Sequence, residues 1–259
     1  MDISKAKDSI VGFIREKIKE ADVQGAVVGI SGGIDSALTA YLTVEALGKD
    51  NVLGIHMPEL SLTPAEDVLD ASEVANRLGI ELKTVNISEI LSAYLNTIPE
   101  SSASSSHANG NLKARIRMSV LYYYANMMSR MVMGTGNKTE ILLGYFTKYG
   151  DGGVDIEPIG DLYKTEVKEM SALMGIPEEI ITKAPSARLW ADQTDEDELG
   201  ITYELLDRFL VLLLEGESPE IAQNTLGLTV TQRDSVLKRI HVNLHKQKTP
   251  AIAELNSFR

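Results

Sequence analysis

A short apolar strand that leads into a glycine-rich turn and then a helix most strongly constrains the fold of this chain. Residues 26–30, AVVGI, are apolar or glycine throughout, SGGIDS follows, and a helical stretch extends from Ala37 to about Leu47. An apolar run of this length next to a turn is typical of a buried strand. A buried strand that passes directly into a helix favours a parallel sheet with helical crossovers.

The alternation of strands and helices continues along the chain. We expect strands over 51–56, 81–86 and 131–133, and helices over 64–78, after residue 86 and over 112–127. This order predicts the α/β class, with a mostly parallel twisted sheet that carries helices on both faces, in a single domain covering 1–259. From about residue 200 we expect a mainly helical segment of two or three helices, with Gly216 and Gly227 as stops.

Two segments lack a helical or strand pattern. Residues 98–111, IPESSASSSHANGN, are rich in serine and small polar residues, so we expect a flexible surface loop, with a structured binding element as the alternative. Residues 142–164, LLGYFTKYGDGGVDIEPIGDLYK, contain several glycines. A long stretch without regular structure inside an α/β domain indicates a functional loop.

Composition excludes several classes of function. The formal net charge of −12 argues against nucleic-acid binding as the main role. The sequence contains no cysteine, which excludes disulfides, thiolate metal sites and thiol nucleophiles. No apolar run is long enough to span a bilayer, and the first 20 residues lack the apolar core of a signal peptide. We therefore expect a cytoplasmic protein that binds neither nucleic acid nor membranes.

The glycine-rich turn has the features of a phosphate site. It lies between a strand and a helix N-terminus, where backbone N–H groups face an anion. Asp35 cannot bind phosphate directly because like charges repel, so a bridging Mg²⁺ explains its presence. The lysine of GxxxxGK[ST] is absent, so the turn is not a Walker A motif. The simpler alternative is a structural turn in which Asp35 is favoured by the helix N-terminus. The predicted ATP-binding residues here are Gly29, Ile30, Ser31, Gly32, Gly33, Ile34, Asp35 and Ser36.

The turn resembles the signature of the N-type ATP pyrophosphatases, the PP-loop family, whose fold is that of the adenine nucleotide alpha-hydrolases. Further stretches resemble the NAD synthetase family over residues 5–250, namely NLKARIRM, GTGNKTE, FTKYGDGGVDIEPIGDLYK, KAPSARLW, QTDEDELG and HKQKTP. The resemblance implies ATP-dependent amidation of deamido-NAD by ammonia, through an adenylate intermediate, to give NAD⁺, AMP and pyrophosphate. The alternatives are another PP-loop amidating enzyme, such as the ATPase subunit of GMP synthetase, and a nucleotide-binding module without catalysis.

The resemblance also implies roles for individual residues outside the turn. ATP would contact Thr135, Lys164 and Ser186; Mg²⁺ would bind Asp35 and Glu140; deamido-NAD would contact Arg115, Lys148, Asp155, His245 and Lys246; and Asp151 would position ammonia or accept its proton. Without the flanking motifs, Arg115 and Glu140 are more simply explained as solvated surface charges. Asp151 before Gly152 also fits an ordinary turn.

Partners follow from the same resemblance. Family members are homodimers that bind the dinucleotide across the interface, and the helix from Leu112 to Met131 is a plausible dimer face, although an ordinary core helix fits equally well. The sequence contains neither a glutaminase domain nor the cysteine nucleophile of the related glutaminases. We therefore expect free ammonia to be the donor, unless a separate glutaminase subunit docks here.

Overall fold

A computed structural model describes residues 1–60, 62–99, 106–186, 188, 190 and 194–254. Four strands form one parallel sheet in the order β3-β2-β1-β4. They are β1 Ala26–Gly29, β2 Val52–His56, β3 Glu81–Thr84 and β4 Met131–Met133. A further parallel bridge joins Met133 to Ile156, beyond β4. The predicted α/β fold with a parallel sheet is confirmed.

Twelve α-helices and two 3₁₀ turns lie within the described ranges. The α-helices are α1 Ile3–Glu20, α2 Ile34–Leu47, α3 Ala65–Leu78, α4 Ser88–Thr97, α5 Ser106–Met128, α6 Lys138–Leu143, α7 Lys164–Leu173, α8 Glu178–Thr182, α9 Asp195–Leu199, α10 Tyr203–Leu214, α11 Pro219–Leu226 and α12 Val230–Asn243. The 3₁₀ turns are Lys49–Asn51 and Leu244–Lys246. None of the helices in these ranges has the length and apolar character needed to cross a bilayer.

Alternating side chains of β1 divide the core into two layers, because successive residues of a strand point to opposite faces. Val28 packs with helices α1, α2, α3 and α7 in one hydrophobic cluster. Val27 packs with α4 and α5 in a second cluster on the other face. Both valines are fully buried. Helices therefore cover both faces of the sheet, as predicted.

The C-terminal helices form a third hydrophobic cluster. Tyr203, Leu206 and Phe209 of α10 pack with residues of α11 and α12 and with Leu143 at the end of α6. The prediction of helices after residue 200 is confirmed, and Gly227 ends α11 in the left-handed conformation. This cluster brings α12 next to the carboxyl ends of the strands.

Helix α5 begins at Ser106, so the expectation of a flexible loop over residues 98–111 is wrong for residues 106–111. Residues 100–105 of that segment lie outside the described ranges. A run of serine and asparagine favours turns when it is considered alone. Here tertiary packing carries the helix through it, because Gly110 is buried and Asn111 binds the hydroxyl of Thr147.

Candidate active site

A cavity of about 540 Å³ opens at the carboxyl ends of β1, β2 and β4. Its walls come from the turn after β1, from the end of β2 at Ile55–Pro58, from the end of β4 at Met133–Thr135, and from α5. The strand order reverses at β1, between β2 and β4, and ligands of open α/β sheets bind at such a point. The volume falls within the range of small-molecule sites.

Most of the residues predicted to bind ATP line this cavity. They are Gly29, Ile30, Ser31, Gly33, Ile34, Asp35, Ser36, Thr135, Lys164 and Ser186. Glu140 and Asp151 line the same cavity. Residues that are more than 100 positions apart in the chain are thus brought to one cavity.

Two serines hold the glycine-rich turn, residues 31–36, in shape. We call it the phosphate turn after the site predicted there. The Ser31 N–H donates to Ser36 Oγ at 3.1 Å, and the Ser36 hydroxyl donates to the Gly33 carbonyl at 2.9 Å. The Gly33 N–H donates to Ser31 Oγ at 3.2 Å. Helix α2 begins directly afterwards, with Gly33 as its N-cap. The turn therefore presents a helix N-terminus to the cavity, where backbone N–H groups attract anions.

Unlike the other residues of the turn, Gly32 does not line the cavity. Its φ is +89°, and a Cβ on it would lie 2.4 Å from the carbonyl oxygen of Asp67. Only glycine adopts this backbone angle readily. Gly32 therefore shapes the turn from behind, where it packs on the first turn of α3.

The side-chain ammonium group of Lys164 and the carboxylates of Asp35 and Glu140 meet beside the turn. Lys164 Nζ lies 2.5 Å from Asp35 Oδ2 and 3.5 Å from Glu140 Oε1. Asn137 fixes both carboxylates, since its side-chain amide donates to Asp35 Oδ1 at 3.0 Å and its backbone N–H donates to Glu140 Oε2 at 3.3 Å. The lysine is almost fully buried, whereas each carboxylate keeps about a fifth of its surface exposed.

Asp195 adds a third carboxylate to this cluster, and sequence analysis did not assign it. It is buried, lines the cavity and accepts a hydrogen bond from the Tyr203 hydroxyl at 3.1 Å. Three carboxylates around one lysine leave an excess of negative charge. Burial and this charge raise the pKa of Glu140 to about 8 and raise the pKa of Asp195. Burial opposes the charge of Lys164, but Asp35 and Glu140 outweigh it and raise its pKa.

The cluster suits a divalent cation. Asp35 and Glu140 both lie beside the ammonium group of Lys164 and line the cavity, so the two carboxylates face the same part of it. Carboxylate oxygens are the ligands that Mg²⁺ prefers in proteins. The excess negative charge is the second reason for the fit, because a bound cation would neutralise it.

Asp151 lies across the cavity on the loop between α6 and α7. Its Oδ1 accepts the Thr147 N–H at 3.0 Å, and the Thr147 hydroxyl donates to Asn111 of α5 at 2.8 Å. Its side chain is exposed to the cavity. The protein around the cavity raises its pKa, chiefly because it limits the hydration of the carboxylate. A carboxyl group with a raised pKa in a cleft is a candidate for proton transfer.

Of the residues predicted to contact deamido-NAD, Lys246 alone lines the cavity. Its ammonium donates to the carbonyls of Gly144 and Phe146, each at 2.7 Å, and burial lowers its pKa. Lys246 thus fixes the start of the loop that carries Asp151.

The other four lie outside this cavity within one copy of the chain. Arg115 donates to the Lys148 carbonyl at 3.3 Å, and Lys148 donates to the His245 carbonyl at 2.8 Å, so these three form one patch. Asp155 is not part of it, because its oxygens accept from Tyr122 at 3.0 Å and from the Val132 N–H at 2.7 Å. The structure therefore brings together three of these residues and leaves Asp155 at the edge of β4.

Several cavity residues were missed by sequence analysis. Arg117 lies two positions after Arg115 and donates to the Met57 carbonyl at 3.1 Å. Lys183 and Arg188 flank Ser186 in KAPSAR, and Arg239 lies on α12. Arg117, Lys183 and Arg188 lie within the stretches that resemble the family, and this was the signal that could have found them. Their contacts depend on distant segments, so their roles could not be found from the stretches alone.

Known proteins and solved structures are similar to this chain over nearly its whole length. The NAD synthase family matches residues 6–250. An NH₃-dependent NAD⁺ synthetase of Methanococcoides burtonii is 61% identical over 259 residues, which cover 100% of this chain and 98% of that protein. The solved structure of NH₃-dependent NAD synthetase from Campylobacter jejuni, in complex with the nitrate ion, is 33% identical with a TM-score of 0.81. NMN synthetase from Francisella tularensis is 32% identical with a TM-score of 0.86. Both structural matches cover 98% of this chain and 100% of the other.

Proposed function

The chain belongs to the NAD synthase family, and from this membership we propose a site for each reactant and an order of bond changes. The chain is a ligase that makes NAD⁺ from ammonia, and ATP drives the reaction. One observation carries the proposal. The phosphate turn, the Asp35–Glu140–Lys164 cluster and Asp151 all line a single cavity.

ATP binds with its phosphates at the turn. The N-terminus of α2 faces the triphosphate, and Lys164 lies beside Asp35 at the start of that helix. Mg²⁺ would be held by Asp35 and Glu140, and it would supply positive charge to the phosphates. Thr135, at the end of β4, and Ser186 contact ATP from two other walls of the cavity.

Adenylation is the first bond change. An oxygen of the nicotinate carboxylate of deamido-NAD attacks the α-phosphorus, and the bond to the β-phosphate breaks to release pyrophosphate. Lys164 and the turn amides neutralise the charge that develops on the phosphates, which is the largest contribution that such a site makes. No protein nucleophile is needed.

Amide formation is the second bond change. Ammonia attacks the acyl carbon of the adenylate, AMP leaves with one former carboxylate oxygen, and the nitrogen loses a proton. Asp151 orients the ammonia and accepts that proton, because its raised pKa brings it closer to the pH at which it works. Ammonia enters free, without a glutaminase subunit.

The dinucleotide extends beyond the cavity towards the patch of Arg115, Lys148 and His245. Helix α5 carries Arg115 and also exposes Tyr123, 67% accessible, and Met127, 60% accessible. We propose that a second copy of the chain covers this face, so that a homodimer completes the deamido-NAD site. We place the enzyme in the cytoplasm, where ATP is available.

A product analysis tests the proposal. The purified chain is incubated with ATP, Mg²⁺, ammonium and one of three substrates. These are deamido-NAD, deamido-NMN, because one structural relative is an NMN synthetase, and XMP, the substrate of the GMP synthetase alternative. We expect NAD⁺, AMP and pyrophosphate in equal amounts from deamido-NAD, and slower turnover of deamido-NMN. Preference for deamido-NMN or for XMP would refute the substrate assignment, and ADP would refute adenylation. Asp35→Asn serves as the inactive control.

A further inference from the structure

The first turn of α3 packs directly behind the phosphate turn. The Asp67 carbonyl lies where a side chain on Gly32 would have to go, so the two backbones are in contact. The Asp67 side chain is only 6% exposed and stands in the first turn of α3. A carboxylate at a helix N-terminus is favoured by the helix dipole.

Both oxygens of this carboxylate bind cations of a third segment. Lys183 Nζ lies 2.9 Å from Oδ1, and Arg188 Nε lies 3.2 Å from Oδ2. Lys183 also donates to the carbonyl of Gly32 at 3.3 Å. Asp67 therefore links the phosphate turn to residues on both sides of Ser186.

The neighbouring acidic residues serve the same lysine and do not form a separate cation site. Glu66, Asp67 and Asp70 place carboxylate oxygens within 4.8 Å of one another. The ammonium of Lys183 contacts Asp70 as well as Asp67 and lies 3.4 Å from Glu66. It therefore takes the place that a metal ion would need.

We propose that Asp67 is a positioning residue for ATP. It fixes Lys183 and Arg188 and thereby holds Ser186 at the cavity wall, beside the turn that receives the phosphates. The inference rests on the proposed function, since it requires that ATP binds in this cavity. Asp67 acts through Ser186, because the backbone N–H of Arg188, whose side chain Asp67 binds, donates to Ser186 Oγ at 3.1 Å.

Steady-state kinetics of Asp67→Asn test this role. The change keeps the size of the side chain and removes the charge that binds both cations. We expect the KM for ATP to rise about tenfold, the effect of losing a charged hydrogen bond. We expect kcat at saturating ATP and the KM for deamido-NAD to stay within about twofold. Asp161→Asn is the matched control, because Asp161 forms an exposed ion pair with Lys138 and should not change either KM.

A double-mutant cycle separates positioning from a general loss of structure. If Asp67 acts through Ser186, adding Ser186→Ala to Asp67→Asn should raise the KM for ATP no further than the more severe single variant. Thr135 lines the cavity after β4, away in sequence from Lys183, Ser186 and Arg188. The rise in the KM for ATP in Thr135→Val should therefore multiply with the rise in Asp67→Asn. If the effects of Asp67→Asn and Ser186→Ala on the KM for ATP multiply in the double variant, the proposal is overturned.

Two further outcomes are distinguishable. If Asp67→Asn fails to fold, the same cycle is run with Arg188→Gln, whose side chain is 36% exposed and tolerates change better. Wild-type protein that makes no NAD⁺ would refute the proposed function. Active wild-type protein with an unchanged KM for ATP in Asp67→Asn would refute the positioning role alone.

Discussion

Lys164 shows how a buried charge organises the site at the scale of single residues. Its ammonium contacts Asp35 and Glu140 and lies 5.3 Å from the centre of the Tyr203 ring. Asp195, which binds Tyr203, adds a further negative charge. Burial, together with the charges of Asp35 and Asp195, raises the pKa of Glu140, so this group holds its proton more tightly than an exposed glutamate until a cation binds.

Binding of Mg²⁺ with ATP should therefore release a proton. The pKa of Glu140 is raised to about 8, so in the free protein at pH 7 this group is mostly protonated, whereas a metal ligand must be ionised. Calorimetric titration in buffers of different ionisation enthalpy should show release of about one proton at pH 7 and almost none at pH 9. In Glu140→Gln the difference between the two pH values should disappear. An unchanged proton count in that variant would show that another group titrates.

Two adjacent glycines of the turn should respond differently to alanine. Gly32→Ala combines a positive φ with a clash on the Asp67 carbonyl, so we expect the free energy of unfolding to fall by about 2–4 kcal/mol. Gly33 has a φ of −96°, and a Cβ would lie 3.4 Å from Ser31 Oγ.

Gly33→Ala should therefore fold with a loss of less than about 1 kcal/mol but bind ATP more weakly, since its methyl group faces the cavity. Urea denaturation of both variants, followed by ATP titration of the folded one, gives the comparison. Equal stability of the two variants would contradict the roles assigned to these glycines.

At the scale of elements, the end of α6 is held by side chains from the C-terminal region. Asn243 donates to the Leu143 carbonyl at 3.0 Å, and Gln247 donates to the Ile141 carbonyl at 2.6 Å. Lys246 binds the next carbonyls, of Gly144 and Phe146. The last carbonyls of a helix have no partners within it, so these donors fix the direction in which the loop towards Asp151 leaves α6.

Asn243→Ala tests this capping. We expect a loss of about 1–2 kcal/mol in the free energy of unfolding, because a half-buried carbonyl loses its donor. Hydrogen exchange should accelerate at residues 144–151, measured by mass spectrometry. Val242→Ala, on the exposed side of the same helix, should leave both quantities unchanged, and faster exchange in this control would contradict the local effect.

Sequence patterns predicted the elements better than their contacts. Strand β1 and helix α2 could be found because apolar periodicity and the glycine turn lie within a few positions. The start of α5 at Ser106 could not, since packing of Gly110 and Asn111 overrides local propensity there. The roles of Asp67 and Asp195 depend on partners that are distant in the chain or that the motifs did not point to, so no local signal reveals them.

At the scale of the whole molecule, helices α4 and α5 expose apolar side chains on a shared face of the described part of the chain. Tyr94 of α4 is about half exposed, and Tyr123 and Met127 of α5 are more than half exposed. A groove between these helices is lined by Ile90, Ile116 and Val120. A contiguous apolar surface of this kind commonly marks an interface between proteins.

We expect the chain to be a dimer in solution and Tyr123→Glu to be monomeric, because a buried, unpaired charge disfavours the interface. Light scattering coupled to size-exclusion chromatography measures the mass of both. The variant should also have a raised KM for deamido-NAD and a nearly unchanged KM for ATP. A monomeric wild-type chain with full activity would contradict completion of the site by a second copy.

The central claim is that a carboxylate oxygen attacks the α-phosphorus of ATP bound at the turn after β1. Deamido-NAD labelled with ¹⁸O in both carboxylate oxygens tests it directly, since the mass of each product can be measured after a single turnover. The account predicts one ¹⁸O in AMP, one in the amide of NAD⁺ and none in pyrophosphate. Unlabelled AMP, or ¹⁸O in inorganic phosphate, would contradict it.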